Sequence, residues 1–172
     1  MPDSTSATDS QHFRTALGRF ATGVAVLTTE NAEGHPIGLT VSSFNSVSLH
    51  PPLVVWSLSL TSSSRPVFET AERYVVNVLS ARQIDLAKRF AKGTAAERFA
   101  GQRIQRAPGG TLMLPHACAW FECRNRSRYL EGDHIIMVGE VEHCGHTRDM
   151  PLVYHAGGFD LTPAAIETPD TL

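Results

Sequence analysis

Much of what this 172-residue chain could be is excluded by what it lacks. It has three cysteines, Cys118, Cys123 and Cys144, an odd number with no C-x-x-C pair. That excludes a disulfide framework or a zinc ribbon and fits a reducing cytoplasm. No run approaches the ~18 apolar residues of a membrane span. Basic excess is missing too: 15 Lys and Arg stand against 17 Asp and Glu, for a net charge of −2, so a nucleic-acid partner is not expected. Met1 to Ser10 carries two Asp and no Lys or Arg, unlike the start of a secretory signal. Neither G-x-G-x-x-G nor G-x-x-x-x-G-K-[ST] occurs, which disfavours a dinucleotide fold or a P-loop. G-x-S-x-G is absent, and no cysteine has neighbours that would lower its pKa. His143 and His146 have no third ligand nearby, short of a usual zinc set. Glu122 and Glu140 are isolated carboxylates, so paired acid/base work is not indicated.

What is present is an ordinary globular composition, 42% hydrophobic and 19% charged, of a size for one domain. The polar ends, residues 1–10 and 163–172, read as flexible tails around a domain spanning 11–162. Phe13, Ala16, Leu17 and Phe20 have the spacing of an amphipathic helix with Ser10 as N-cap and Gly23 as its end. The period then changes. Val24 to Thr29, His35 to Ser42, Ser46 to Leu49, Leu53 to Ser59, Tyr74 to Leu79, Ala117 to Arg126, His134 to Cys144 and Leu152 to His155 all read as strands separated by turn residues. Two short helices are expected, Pro66 to Ala71 and Gln83 to Phe90. The pattern predicts a mainly β fold, an antiparallel barrel with Greek-key connections, rather than βαβ units. Cys118 and Cys123 are expected on a strand, as buried small hydrophobes.

Hydroxyls concentrate in two segments, Gly38-Leu-Thr-Val-Ser-Ser-Phe-Asn-Ser-Val-Ser48 and Ser57-Leu-Ser-Leu-Thr-Ser-Ser-Ser-Arg65. On the residues alone two readings stand. The hydroxyls belong to ordinary strands and turns, or they cradle a phosphate together with Arg65. Gly132-Asp-His134 is a turn entering an apolar strand. Its imidazole is either a plain surface histidine or the group that orients a polar ligand.

Taken in order, these residues resemble the flavin reductase domain family, with its FMN-binding split barrel. Phe13-Arg-Thr-Ala-Leu-Gly-Arg-Phe-Ala-Thr-Gly-Val24 resembles the opening helix and strand, and Gly38 to Ser48 followed by Pro51-Pro52-Leu53 the flavin loop. Val75-Val-Asn-Val-Leu79 is similar to the central strand, Gly132-Asp-His134 with Gly139-Glu-Val141 to the closing hairpin, and Pro151-Leu-Val-Tyr-His155 to the last motif. The likeness runs over residues 12–160 without a missing block.

The resemblance implies a homodimer that holds FMN or FAD near the subunit interface. Thr40, Val41, Ser42 and Ser43 would lie against the ring system or ribityl chain. Ser57, Ser59 and the loop of Thr61, Ser62, Ser63 and Ser64 would approach ribityl and phosphate, with Arg65 after it as a phosphate contact, and Phe90 with Ala91 would close the phosphate side. His134 would position the hydride donor. Relatives often carry a basic or amide residue in the loop after Ser57, where this chain has hydroxyls until Arg65. The implied activity is hydride transfer from NADH or NADPH to a diffusible flavin that a separate monooxygenase consumes. No Arg cluster marks a 2′-phosphate site, which leans towards NADH. Alternatives are a bound-flavin reductase serving a cobalamin, ferric or quinone acceptor, a non-catalytic flavin-binding module, or a plain interaction barrel.

Overall fold

The computed structural model describes residues 9–161. Of the two expected tails, only Asp9 and Ser10 fall within them; residues 1–8 and 163–172 lie outside the described residues. Asp9, not Ser10, caps the first helix: its carboxylate accepts from the N–H groups of Gln11 and His12 at 3.0 and 3.1 Å. That helix, α1 (Ser10–Leu17), ends at Gly18 rather than Gly23. Gly23 instead belongs to a short strand, β1 (Thr22–Gly23).

There follow β2 (Ala25–Glu30), β3 (Pro36–Val41), β4 (Asn45–Leu49), β5 (Pro52–Ser59), α2 (Arg65–Thr70) and β6 (Arg73–Val78). A 3-10 turn (Ala81–Gln83) leads into α3 (Ile84–Phe90). The rest is α4 (Ala95–Phe99), β7 (Gln105–Arg106), β8 (Leu112–Met113), β9 (Ala119–Glu131), β10 (His134–His146), β11 (Leu152–His155) and β12 (Gly158–Leu161). The sequence reading missed β1, α4, β7, β8 and β12. It also placed Cys118 on a strand, whereas β9 begins one residue later. Both Cys118 and Cys123 are buried.

Seven strands form one antiparallel sheet in the order β3-β2-β6-β9-β10-β5-β4. β9 and β10 lie between β6 and β5, yet Trp56 of β5 packs edge-on against Tyr74 of β6 with ring centroids 5.7 Å apart. The sheet must therefore curl until its distant strands meet, which is the split-barrel form. Two register shifts on β10, at Val138/Gly139 and Val141/His143, supply bulges that bend this long hairpin. Its two-residue turn places Gly132 at φ +60°, the position where a II′ turn requires glycine.

Strand periodicity sorts the residues of β5. Val54, Trp56 and Leu58 point into the barrel core with Leu27, Val76 and Met137, while Ser57 and Ser59 face outward. β2 shows no alternation because both its faces are covered. Ala25 and Leu27 enter the barrel core, whereas Val24 and Val26 join Leu79, Ala87, Phe90, Leu114 and Leu152 in a second cluster under α3. Gly38 makes room for that cluster: a Cβ there would lie 2.8 Å from Cε1 of Phe90. The outward serines of β5 and the inner end of α3 thus face the same space.

Candidate active site: a hydroxyl-lined cleft

β3, the outward face of β5, the loop after β5 and the end of α3 enclose a cleft of about 510 Å³. That volume lies within the range of small-molecule sites. Of the residues expected here, Thr40, Val41, Ser42, Ser43, Ser57, Ser59, Ser62, Ser63, Phe90, Ala91 and His134 all line it. They come from segments far apart in the chain.

Several hydroxyls are already committed to building the walls. Thr40 Oγ1 donates to the Ala87 carbonyl at 2.8 Å, which ties β3 to α3. Ser43 Oγ accepts the Ser57 N–H at 3.0 Å. It thereby continues the ladder beyond Asn45, where the pairing of β4 with β5 stops. Ser59 Oγ accepts the Thr61 N–H at 3.3 Å and lies 3.0 Å from Thr61 Oγ1, and Ser62 Oγ accepts the Ser64 N–H at 3.3 Å. The structural reading of the serine clusters therefore holds for these hydroxyls. Among the described residues the hydroxyls of Ser42, Ser57 and Ser63 have no protein partner, so these are the ones that can turn to a ligand.

Ser64 and Arg65 fall outside the cleft lining. Ser64 is buried beneath it, at the N-terminus of α2. Arg65 turns away because nearer groups hold it: Nη1 donates to the Leu60 carbonyl at 3.2 Å, and Nε pairs with Glu69 at 3.3 Å one helical turn on. The cationic group that does line the cleft is Arg98 of α4. Arg98 is only 8% exposed and has no carboxylate partner among the described residues. Its Nη1 donates to the Gly38 carbonyl at 2.7 Å and to Ser64 Oγ at 3.3 Å, and its Nε to the Lys92 carbonyl at 3.1 Å. Burial pulls its pKa below the ordinary arginine value.

Arg98 was missed because α4 was missed, although the signal was there. Thr94 and Glu97 form a capping box in which Thr94 Oγ1 accepts the Glu97 N–H at 3.3 Å and the Glu97 carboxylate accepts the Thr94 N–H at 2.7 Å. A Thr-x-x-Glu string before an apolar position marks a helix start.

At the opposite wall His134 stands directly across from Ser59 in the β10–β5 register. Its Nδ1 lies 2.7 Å from Asp133 Oδ1, which leaves Nε2 as the nitrogen available to a ligand. The same hydrogen bond holds the Asp133 carboxyl below its usual pKa. Among the described residues no three His, Cys, Asp or Glu side chains gather as a metal set.

Comparison with known proteins agrees with this architecture. The chain is 44% identical over 151 residues to an FMN reductase (NADH) of Agrobacterium fabrum, covering 88% of this chain and 85% of that protein. Its structure is similar to the NADH:FAD oxidoreductase of Streptomyces globisporus C-1027, solved with NAD and FAD fragments. The TM-score is 0.87 at 29% identity, over 95% of this chain and 99% of the other. The flavin reductase of styrene monooxygenase from Pseudomonas putida S12 superposes with a TM-score of 0.81 at 32% identity, over 89% and 98% of the two chains. The family model for the flavin reductase like domain matches residues 17–162, nearly all of the described fold, and the chain belongs to that family.

Proposed function

We propose that the cleft binds flavin through its phosphate and ribityl chain, and that the chain is an NADH-dependent flavin reductase serving a separate monooxygenase. Arg98 carries this reading. A buried cation is costly unless an anion or several hydrogen bonds offset it. Here the guanidinium meets two carbonyls and a serine but no carboxylate, and it borders a cleft open to ligand. A phosphate fills that role: FMN carries one and FAD a diphosphate. The free hydroxyls of Ser42, Ser57 and Ser63 suit a ribityl chain, which offers donors and acceptors along its length.

Bound flavin supplies the hydride-accepting ring and NADH the hydride. The protein's share is placement. Phe90 and Ala91 form one side of the cleft. His134, steadied by Asp133, presents Nε2 to the nicotinamide side and fixes the donor's orientation. No side chain is asked to move a proton.

Hydroxyl-rich binding with one cation suits a flavin that must leave, with affinity around micromolar, about −8 kcal/mol. The likeness to the reductase of styrene monooxygenase supports delivery to a partner oxygenase. The likeness to two proteins named for NADH supports that donor. A homodimer fits the exposed apolar edge strand β4, where Val47 is 54% and Leu49 82% exposed. Three unpaired cysteines fit a reducing, cytoplasmic setting. Among the described residues no helix is long and apolar enough to cross a membrane.

The test is NADH oxidation with FMN, FAD or neither added, together with gel filtration of the same sample. Turnover that rises with free flavin supports a diffusible-flavin reductase. Stoichiometric flavin that survives filtration without NADH oxidation refutes it.

A further inference from the structure

α3 separates two clefts. Phe90 at its end faces the hydroxyl-lined one, whereas Asp85, Leu86 and Arg89 of the same helix line a second cleft of about 350 Å³. Arg82 and Gln83 of the 3-10 turn, Gln102 and Arg103 after α4 and His116 before β9 complete its polar lining. Three arginines and a histidine thus border one cleft, with Asp85 as the sole carboxylate residue of its lining. Arg65, Arg73, Arg106, Arg124 and Arg126 each pair with a glutamate. Among the described residues Arg82, Arg89 and Arg103 have no ion pair. Like charges around one concavity repel each other and raise the local concentration of anions.

The cleft is also preformed. Gln83 Nε2 donates to the Pro115 carbonyl at 3.0 Å, joining the 3-10 turn to the opposite wall. The Leu114 N–H donates to Asn77 Oδ1 at 2.8 Å, anchoring that wall to the buried core. Arg89 Nη1 is held by the Ala100 and Glu97 carbonyls at 2.9 and 3.3 Å, so its guanidinium does not swing freely. His116 adopts φ +64°, a left-handed conformation that costs energy for a non-glycine residue and gathers at functional sites.

We propose that this second cleft binds a small phosphate-bearing anion through Arg82, Arg89, Arg103 and His116. Planar guanidinium forks match the several oxygens of a phosphate, and Leu86 and Leu114 offer an apolar wall to its organic part. Nothing in the flavin reading calls on these residues. The site is independent of it.

The probe is inorganic pyrophosphate, titrated at low salt into FMN-saturated full-length protein by calorimetry. Saturable binding is expected, weakened about tenfold for each guanidinium lost in Arg82→Ala and Arg103→Ala. FMN affinity should stay unchanged in both. Amide NMR on the wild-type chain gives a reading that needs no variant: shifts should fall on Gln83, Gln102 and Arg103, not on Ser57 and Ser63. Absence of saturable binding, equal affinity in the variants, or shifts confined to the serines would overturn the proposal. If FMN does not bind, titration of the Arg98→Met chain reads the same cleft, so this site and the flavin reading fail separately.

Discussion

Replacing Arg98 with methionine removes the guanidinium that lines the hydroxyl-rich cleft while keeping most of its apolar length. A hydrogen bond to a charged group contributes about 1.5–3 kcal/mol. Loss of one phosphate contact should therefore weaken FMN roughly 10- to 150-fold. The same change frees the Gly38 and Lys92 carbonyls and Ser64 Oγ, so some loss of stability is expected whatever Arg98 does for ligands. Riboflavin separates the two effects, because it has the ring and ribityl chain but no phosphate. The assay is fluorescence titration of wild type and Arg98→Met with FMN and with riboflavin. If Arg98 holds the phosphate, the preference for FMN over riboflavin collapses towards unity while riboflavin affinity changes little. If both affinities fall together and the preference survives, Arg98 only braces α4 against β3, and the reasoning from its unpaired charge is wrong.

His134→Ala should lower kcat/KM for NADH about tenfold, some 1.4 kcal/mol, with flavin affinity nearly intact; a large loss of flavin binding with unchanged NADH kinetics would contradict its assigned place. Gly139→Ala should strongly destabilise the barrel, because its Cβ would lie 2.2 Å from Tyr74 Oη. Combining it with Tyr74→Phe should restore part of the loss in thermal melts. Tyr74→Phe alone should stabilise by about 1 kcal/mol, since the buried hydroxyl has no hydrogen-bond partner. A drop in Tm would mean that the phenol is satisfied in solution. For Glu122, burial pushes the carboxyl pKa up, but hydrogen bonds from Gly109 and Thr111 outweigh it and leave the pKa below the ordinary value. Its contribution is thus present above the ordinary carboxylate range and lost as pH falls through the depressed native pKa. Glu122→Gln should lower stability at neutral pH and flatten the acid limb of a pH–stability profile.

Local signals written in the sequence decided much of the fold. The alternation Leu53-Val-Val-Trp-Ser-Leu-Ser59 fixes which residues of β5 face in and which serines face out, because a strand turns successive side chains to opposite faces. Gly132-Asp133 specifies the turn of the long hairpin and so sets His134 opposite Glu131, whereas its place across from Ser59 comes from the non-local pairing of β10 with β5. The serine clusters could be seen but not sorted. Whether a hydroxyl is committed to a wall, as Thr40 is to Ala87, or left without a protein partner, as Ser57 is, depends on a partner 47 residues away in the first case and on its absence in the second. Tertiary structure alone decided the cleft's charge. The nearest candidate in sequence, Arg65, is drawn off by Glu69 on its own helix, while Arg98 reaches the Gly38 carbonyl across 60 residues of chain. Periodicity and turn chemistry act within a few residues and can be read directly. Which cation ends up beside which hydroxyl follows from how the sheet curls and where α4 packs, and that is a property of the whole chain.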